Sequence, residues 1–295
     1  MSVTEVTMTN HGFHPFSLNL GGRLVEFTCP AVMGILNVTP DSFYSESRCV
    51  SDAQIKGRVS ELLESGADII DIGGYSSRPG ADNVSIEEET ARVVKGVALT
   101  REISPDAIIS VDTFRASVAQ KAIEAGADII NDISGGDLDS DMFAAVAALK
   151  VPYILMHTRG TPQTMSGLTD YDDVTADVIA ELSEKVNRLS LMGVNDVIID
   201  PGFGFGKTVE QNYELLRGLS ALHCFHRPLL VGVSRKSMIY KPLGLTPAES
   251  LNGTTVINTL SLAQGASILR VHDTAPAVEA VKIFMMTQGL WNHSV

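Results

Sequence analysis

Three side chains that accept hydrogen bonds, Asp112, Asn131 and Asp200, each close a short run rich in Ile and Val. Ser234, Lys236, Arg270 and His272 close or follow two later runs of the same kind, and Arg78 lies beyond an earlier one. Carboxylates and an amide oxygen suit a ligand edge that presents N–H groups, whereas Lys and Arg supply charge-assisted bonds to an oxyanion. A molecule that satisfies both sets carries several N–H donors at one end and phosphate at the other. Taken singly, each residue has a plainer role: an Asp at a strand end caps the next helix, and a lone Lys or Arg is a surface cation. Their joint placement carries the reading. His157, alone at the end of another run, reads as a packing residue and is left out.

Other chemistries find no residues to run on. Gly202-Phe203-Gly204-Phe205-Gly206-Lys207-Thr208 resembles a nucleotide-binding loop, but the position that must be Gly in a P-loop is Pro201. Its glycines read instead as tight turns beside a flat ligand, with Phe203 or Phe205 as the stacking wall. No His, Cys or carboxylate group has zinc spacing, so any metal is expected to be Mg2+ held by substrate phosphates and few protein ligands. Cys29, Cys49 and Cys224 are too few and too scattered for a disulfide framework and read as partly buried free thiols.

These residues need elements to hold them. Gly66, Gly126 and Gly265 each end a helical stretch and open an apolar run, and Gly193 begins a looser copy. Runs near 31–37, 67–73, 107–112, 127–132, 152–157, 195–200, 228–233 and 266–271 are short and β-branched, as strands buried on both faces are. Between them, Ser51 to Gln54, Ser85 to Glu88 and Thr246 to Glu249 read as capping boxes. Ile55, Val59, Leu62 and Leu63 follow helical spacing, as do Val174, Val178, Leu182, Val186 and Leu189. The alternation predicts an α/β fold, a (β/α)8 TIM barrel over about 31–288, with a doubly wound open sheet as the runner-up. Residues 16–28, alternating around Gly21-Gly22, predict a β-hairpin that plugs the bottom of the barrel. No linker divides the chain, so residues 1–295 are expected to form one domain. In such barrels the active site lies at the C-terminal strand ends, where the polar residues above stand.

Composition sets outer bounds. With 22 basic and 35 acidic residues the formal charge is −13, which argues against a nucleic-acid partner. A few clustered cations can still set the field of a cleft. No uninterrupted apolar run is long enough for a membrane span, and the first residues carry no secretory pattern, so a cytoplasmic protein is expected.

At these same positions the chain resembles the dihydropteroate synthases of folate biosynthesis. The resemblance rests on Met33-Gly34-Ile35-Leu36-Asn37-Val38-Thr39-Pro40-Asp41-Ser42-Phe43, Ser77-Arg78-Pro79-Gly80, Val111-Asp112-Thr113 and Asn131-Asp132-Ile133-Ser134-Gly135-Gly136. It continues through Asp200-Pro201-Gly202-Phe203-Gly204-Phe205-Gly206-Lys207, Ser234-Arg235-Lys236 and Arg270-Val271-His272-Asp273, and spans about 16–288. It implies that 7,8-dihydropterin-6-ylmethyl diphosphate condenses with 4-aminobenzoate to give dihydropteroate and diphosphate. By the same resemblance, Asp112, Asn131 and Asp200 hold the pterin, Lys236 closes over it, and Arg270 and His272 hold the diphosphate with Asn37 as a Mg2+ ligand. Asp41 on the first loop and Ser77, Arg78 and Pro79 on the second shape the aminobenzoate pocket, which Ser234 and Phe205 border. Asp41, Arg78 and Lys236 are the implied catalytic residues, and a homodimer is the family expectation.

Two segments depart from the family. The first loop reads Phe43-Tyr44-Ser45-Glu46-Ser47-Arg48 where Phe-Ser-Asp-Gly-Gly is frequent, and Tyr75-Ser76-Ser77 stands where Glu-Ser-Thr is common. The alternatives are a methyltetrahydrofolate-dependent methyltransferase, which has no use for the diphosphate corner, and a non-catalytic pterin-binding paralogue.

Overall fold

Short β-branched runs fold as strands and the amphipathic stretches between them as helices, alternating along most of the chain. The structure, a computed structural model, describes residues 12–39, 51–75 and 84–290. It opens with an antiparallel hairpin, β1 (Phe16–Leu20) and β2 (Arg23–Phe27), turned at Gly21-Gly22. The barrel strands follow as β3 (Ala31–Asn37), β4 (Ile69–Gly73), β5 (Ile108–Asp112), β6 (Ile129–Asp132), β7 (Tyr153–Met156), β8 (Val197–Asp200), β9 (Leu230–Val231) and β10 (Ile268–Val271). They form one eight-stranded sheet in the order β8-β7-β6-β5-β4-β3-β10-β9, and the pairs are parallel. A parallel bridge from Ile199 to Leu229 joins β8 to β9 and closes the ring, so the barrel expectation holds and the open sheet does not.

The helices are α1 (Asp52–Glu64), α2 (Ile86–Ile103), α3 (Ala116–Glu124), α4 (Met142–Leu149), α5 (Val174–Leu191), α6 (Val209–Arg217), α7 (Ser237–Tyr240), α8 (Leu251–Ala263) and α9 (Thr274–Thr287). Gly66, Gly126, Gly193 and Gly265 all have positive φ, which stops the preceding helix and turns the chain into a strand. The Ser51–Gln54 box is complete. At Ser85 only half of it forms, because Glu88 reaches Arg92 on the next turn rather than back to the cap. The Thr246 box does not start a helix: Glu249 accepts from Thr246 N and Oγ1 at 3.0 and 2.7 Å, closing an isolated turn, and α8 begins at Leu251. A complete box that the sequence reading passed over, Thr208–Gln211, opens α6.

The barrel has two cores. Outward residues such as Val32, Ile70, Ile109, Ile130 and Leu155 pack against the helix stripes, including Ile55, Val59, Leu62, Val178 and Leu182. Inward residues Met33, Ile69, Ile129, Ile154, Ile198, Leu230 and Ile268 form a second cluster with Leu18, Leu20 and Phe27 of the hairpin. The hairpin therefore plugs the lower end of the barrel. Cys29 and Cys224 are free and exposed rather than partly buried, and Cys49 lies outside the described residues. Among the described residues no helix is long and apolar enough to cross a membrane.

Candidate active site

Side chains of a strand alternate between its faces, so the residue two places after an inward apolar residue also points into the barrel. Two places after Ile69, Ile129, Ile198 and Ile268 stand Asp71, Asn131, Asp200 and Arg270. Asp112 and Asn37 end the inward rows of β5 and β3, four places after Ile108 and Met33. This two-residue period lifts polar side chains from several strands into one mouth. Asp132, next to Asn131, faces the other way. It is buried, accepts from Tyr153 Oη at 2.7 Å and from Ser134 N at 2.7 Å, and so shapes a turn.

Arg270 stands at the centre of the mouth. Its Nε donates to Asp71 Oδ2 at 2.6 Å and its Nη2 to Asp112 Oδ2 at 2.7 Å. Burial works against the guanidinium charge, but Asp71 and Asp112 more than offset it and hold the group firmly protonated. Burial pushes the Asp112 carboxyl up, with Arg270 pulling the other way. Asn131 donates from Nδ2 to Asp71 Oδ2 at 3.1 Å. Asp200 accepts from Gly202 N at 2.8 Å through Oδ1, and burial raises its carboxyl against the pull of Lys236.

Lys236 precedes α7 and donates from Nζ to Phe203 O at 2.6 Å, with the Phe205 ring centroid 4.6 Å away. Burial lowers its amine to about 8, opposed by Asp200 and assisted by Arg270. Of the two rings, Phe205 is partly exposed, whereas Phe203 is fully buried in the outer core and its carbonyl accepts from Lys236. Ser234 Oγ accepts from His272 N at 3.2 Å and lies 3.0 Å from His272 Nδ1, tying strand ends nine and ten together. Arg235, between Ser234 and Lys236, turns away and forms two 2.8 Å bonds with Asp273.

A buried brace holds the Gly-rich loop. Lys207 Nζ meets Gly202 O at 3.1 Å, Phe205 O at 3.0 Å and His157 Nδ1 at 3.0 Å, three acceptors for the three N–H bonds of an ammonium. His157 Nε2 then lies 2.9 Å from Glu181 Oε2 on α5, so the neutral ring donates there and accepts from Lys207. His157, left out above, thus links three elements. Gly202 has φ +70°, and a Cβ there would stand 1.8 Å from His157 O; only glycine fits. Burial lowers Lys207 to about 7 and His157 to about 4.

The chain matches the pterin binding enzyme family over residues 33–272. It belongs to that family. The chain is 45% identical over 264 residues to the dihydropteroate synthase of Synechocystis, covering 88% of this chain and 90% of the relative. The Escherichia coli dihydropteroate synthase is 41% identical over 269 residues, 90% of this chain and 94% of its own. Among solved structures, Yersinia pestis dihydropteroate synthase in a sulfonamide drug complex superposes with a TM-score of 0.87 at 39% identity, covering 94% of this chain and all of that one. Xanthomonas albilineans dihydropteroate synthase in complex with 7,8-dihydropteroate gives 0.82 at 35% identity, covering 92% and 99%.

For this member of the pterin-binding enzymes, Asp41, Ser77, Arg78 and Pro79 lie outside the described residues. The base of the second loop is described. Arg115 holds both its ends, with its guanidinium 5.6 Å from the Tyr75 ring centroid and Nη2 donating to Val84 O at 2.9 Å. Glu89, fully buried, anchors Arg115 at 2.7 Å. Tyr75, one of the departures, therefore packs against Arg115 and, edge-on, against Phe114. Sequence reading missed Asp71, Lys207 and Arg115; the inward period of β4 was the signal available for Asp71.

The family expectation of Mg2+ can be tested against these residues. No group of three or more His, Cys, Asp or Glu able to hold a metal occurs among the described residues. Asn37 caps the inward row of β3 and faces Gly73, whose missing Cβ would come within 3.3 Å of Asn37 Oδ1. A single open amide oxygen fits a hard cation that keeps most of its waters and takes its other ligands from phosphate.

Proposed function

We infer that this chain is a dihydropteroate synthase. It joins 4-aminobenzoate to 7,8-dihydropterin-6-ylmethyl diphosphate and releases diphosphate. One observation carries the reading: a single barrel mouth gathers Asp112, Asn131 and Asp200 beside Lys236 and Arg270, in a chain 41–45% identical to dihydropteroate synthases along about nine-tenths of its length.

The acceptor side of the mouth reads the pterin N–H edge. Pterin donors compete with Arg270 for Asp112, so occupation of the head site frees one N–H of Arg270 Nη2 for the diphosphate, with His272 beside it, while Asp71 keeps its hold on Nε and the same Nη2. Lys236, between the Phe205 ring and Asp200, covers the pterin. The C–O bond to diphosphate breaks with its electron pair on the leaving oxygen, where Arg270 and Lys236 stabilise the growing charge. The dihydropterin ring spreads the positive charge left on the exocyclic carbon. The arylamine nitrogen forms the new C–N bond and loses a proton, and because it is already nucleophilic at neutral pH no strong base is needed. Asn37 would hold Mg2+, which neutralises charge on the leaving diphosphate when bound. Asp41, Ser77, Arg78 and Pro79 complete the aminobenzoate side in this proposal, with Ser234 and Phe205 at its border.

Purified protein with Mg2+ and both substrates is expected to release diphosphate and form dihydropteroate, and chelation of the metal should stop it. Saturable pterin binding with no product would overturn the reading in favour of a non-catalytic pterin binder. The same reading includes a cytoplasmic homodimer. Exposed Val256 and Leu260 on α8 and Ile283 and Met286 on the adjacent α9 support the dimer.

A further inference from the structure

Asp71 is fully buried on the inward row of β4, and all its partners are site residues on other strands. Its Oδ2 accepts from Arg270 Nε at 2.6 Å and from Asn131 Nδ2 at 3.1 Å, and forms an ion pair with Arg270 Nη2, 2.6 Å away. Its Oδ1 is buried with no partner among the described residues. A half-satisfied buried carboxylate is a poor stabiliser, since an apolar residue of similar size would fill the space without the desolvation cost. Packing does not explain the residue; its partners do.

We infer that Asp71 is a positioning residue for both ends of the substrate: it aims Arg270 at the diphosphate and fixes the face that Asn131 shows the pterin. A carboxylate only accepts, so the Asn131 amide must turn its NH2 towards Asp71 and is left to offer Oδ1 to the ligand. An acceptor is what a pterin N–H requires. Arg270 is gripped through Nε and one Nη, which fixes the plane of its fork. Asp112 also holds Arg270, but it is itself a pterin contact under the proposed function, on which this inference rests. Once the pterin takes Asp112, Asp71 remains as the anion that orients Arg270.

Asp71→Asn keeps the shape and removes the charge. Binding of inorganic diphosphate with Mg2+ and binding of 6-hydroxymethylpterin, measured separately by calorimetry, should each weaken tenfold or more. The KM for 4-aminobenzoate should stay within about twofold, a split that general loosening of the barrel would not produce. Loss of only one of the two affinities, or of neither, overturns the inference. Should the variant not fold, nitrogen-15 NMR of the unaltered enzyme decides, with the Arg270 Nε–H resonance assigned by its disappearance in Arg270→Lys. A slowly exchanging proton in both the free and the pterin-bound enzyme is expected. Exchange as fast as that of a solvent-exposed arginine would overturn the inference. The calorimetry and the NMR require no turnover and the KM alone does, so failure of the synthase reading shows separately, as no product from the unaltered enzyme.

Discussion

Lys236 shows how a single side chain can be tuned by depth. Its amine sits in the mouth within reach of Asp200, yet burial dominates and brings it down to about 8. If the ammonium is what grips the pterin substrate, the free enzyme loses that grip as pH rises. The ratio kcat/KM for dihydropterin diphosphate is therefore expected to fall about tenfold per pH unit above about 8. Lys236→Arg should move this limb beyond pH 10 while lowering the plateau, because a planar fork cannot copy the bond to Phe203 O. A pH profile of the Arg variant with the limb unmoved would show that another group titrates. Asp71 belongs to the same scale. Sequence displays it plainly at the end of an Ile-rich run, but a lone Asp there is equally a helix cap, and only its three contacts on Oδ2 assign it to the site.

Elements are joined through the brace of Lys207, His157 and Glu181. It ties the loop after β8 to the end of β7 and to α5, and it holds the Gly202 and Phe205 carbonyls in place. His157 titrates at about 4 in the folded chain against 6.5 for a free ring. Burial works against the Glu181 charge, but hydrogen bonds from His157 and Arg159 prevail and lower its carboxyl to about 2. Below pH 6.5 the unfolded chain takes up the histidine proton that the folded chain refuses, so stability falls as pH falls towards 4. His157→Gln should remove roughly 2 kcal/mol of this pH-dependent difference between pH 7 and pH 5 while lowering stability at neutral pH. Denaturant unfolding at pH 7 and pH 5 measures it, and equal pH dependence in the two proteins would count against the brace. Strand positions were legible because a parallel barrel buries both faces and writes each strand as an unbroken Ile and Val run. The brace was not. Its members are far apart in sequence, and Lys207 lies in a Gly-rich stretch that invites comparison with phosphate loops. The start of α8 was misplaced for a related reason: Thr246 and Glu249 bond to each other as a capping box does, and the same pair serves equally to close a turn.

For the whole molecule, surface charge and surface hydrophobicity pull in opposite directions. A net charge of −13 opposes self-association at low salt. Val256 and Leu260 lie one turn apart on α8, and Ile283 and Met286 lie one turn apart on α9, each about half or more exposed, so two helices that pack side by side each carry an exposed apolar pair. Sedimentation at micromolar concentration is expected to give about twice the 31.6 kDa chain mass, with the association tightened by added salt. Leu260→Lys should shift the protein towards the single-chain mass, and a monomer from the unaltered protein would refute the dimer.

The hairpin at the lower end gives the barrel its traffic rule. Leu18, Leu20 and Phe27 fill the space beneath the inward layer and make the barrel a cup rather than a tube. In the proposed reaction two reactants and two products would share one doorway, and a pterin held deepest, against Asn131 and Asp200, would have no back exit.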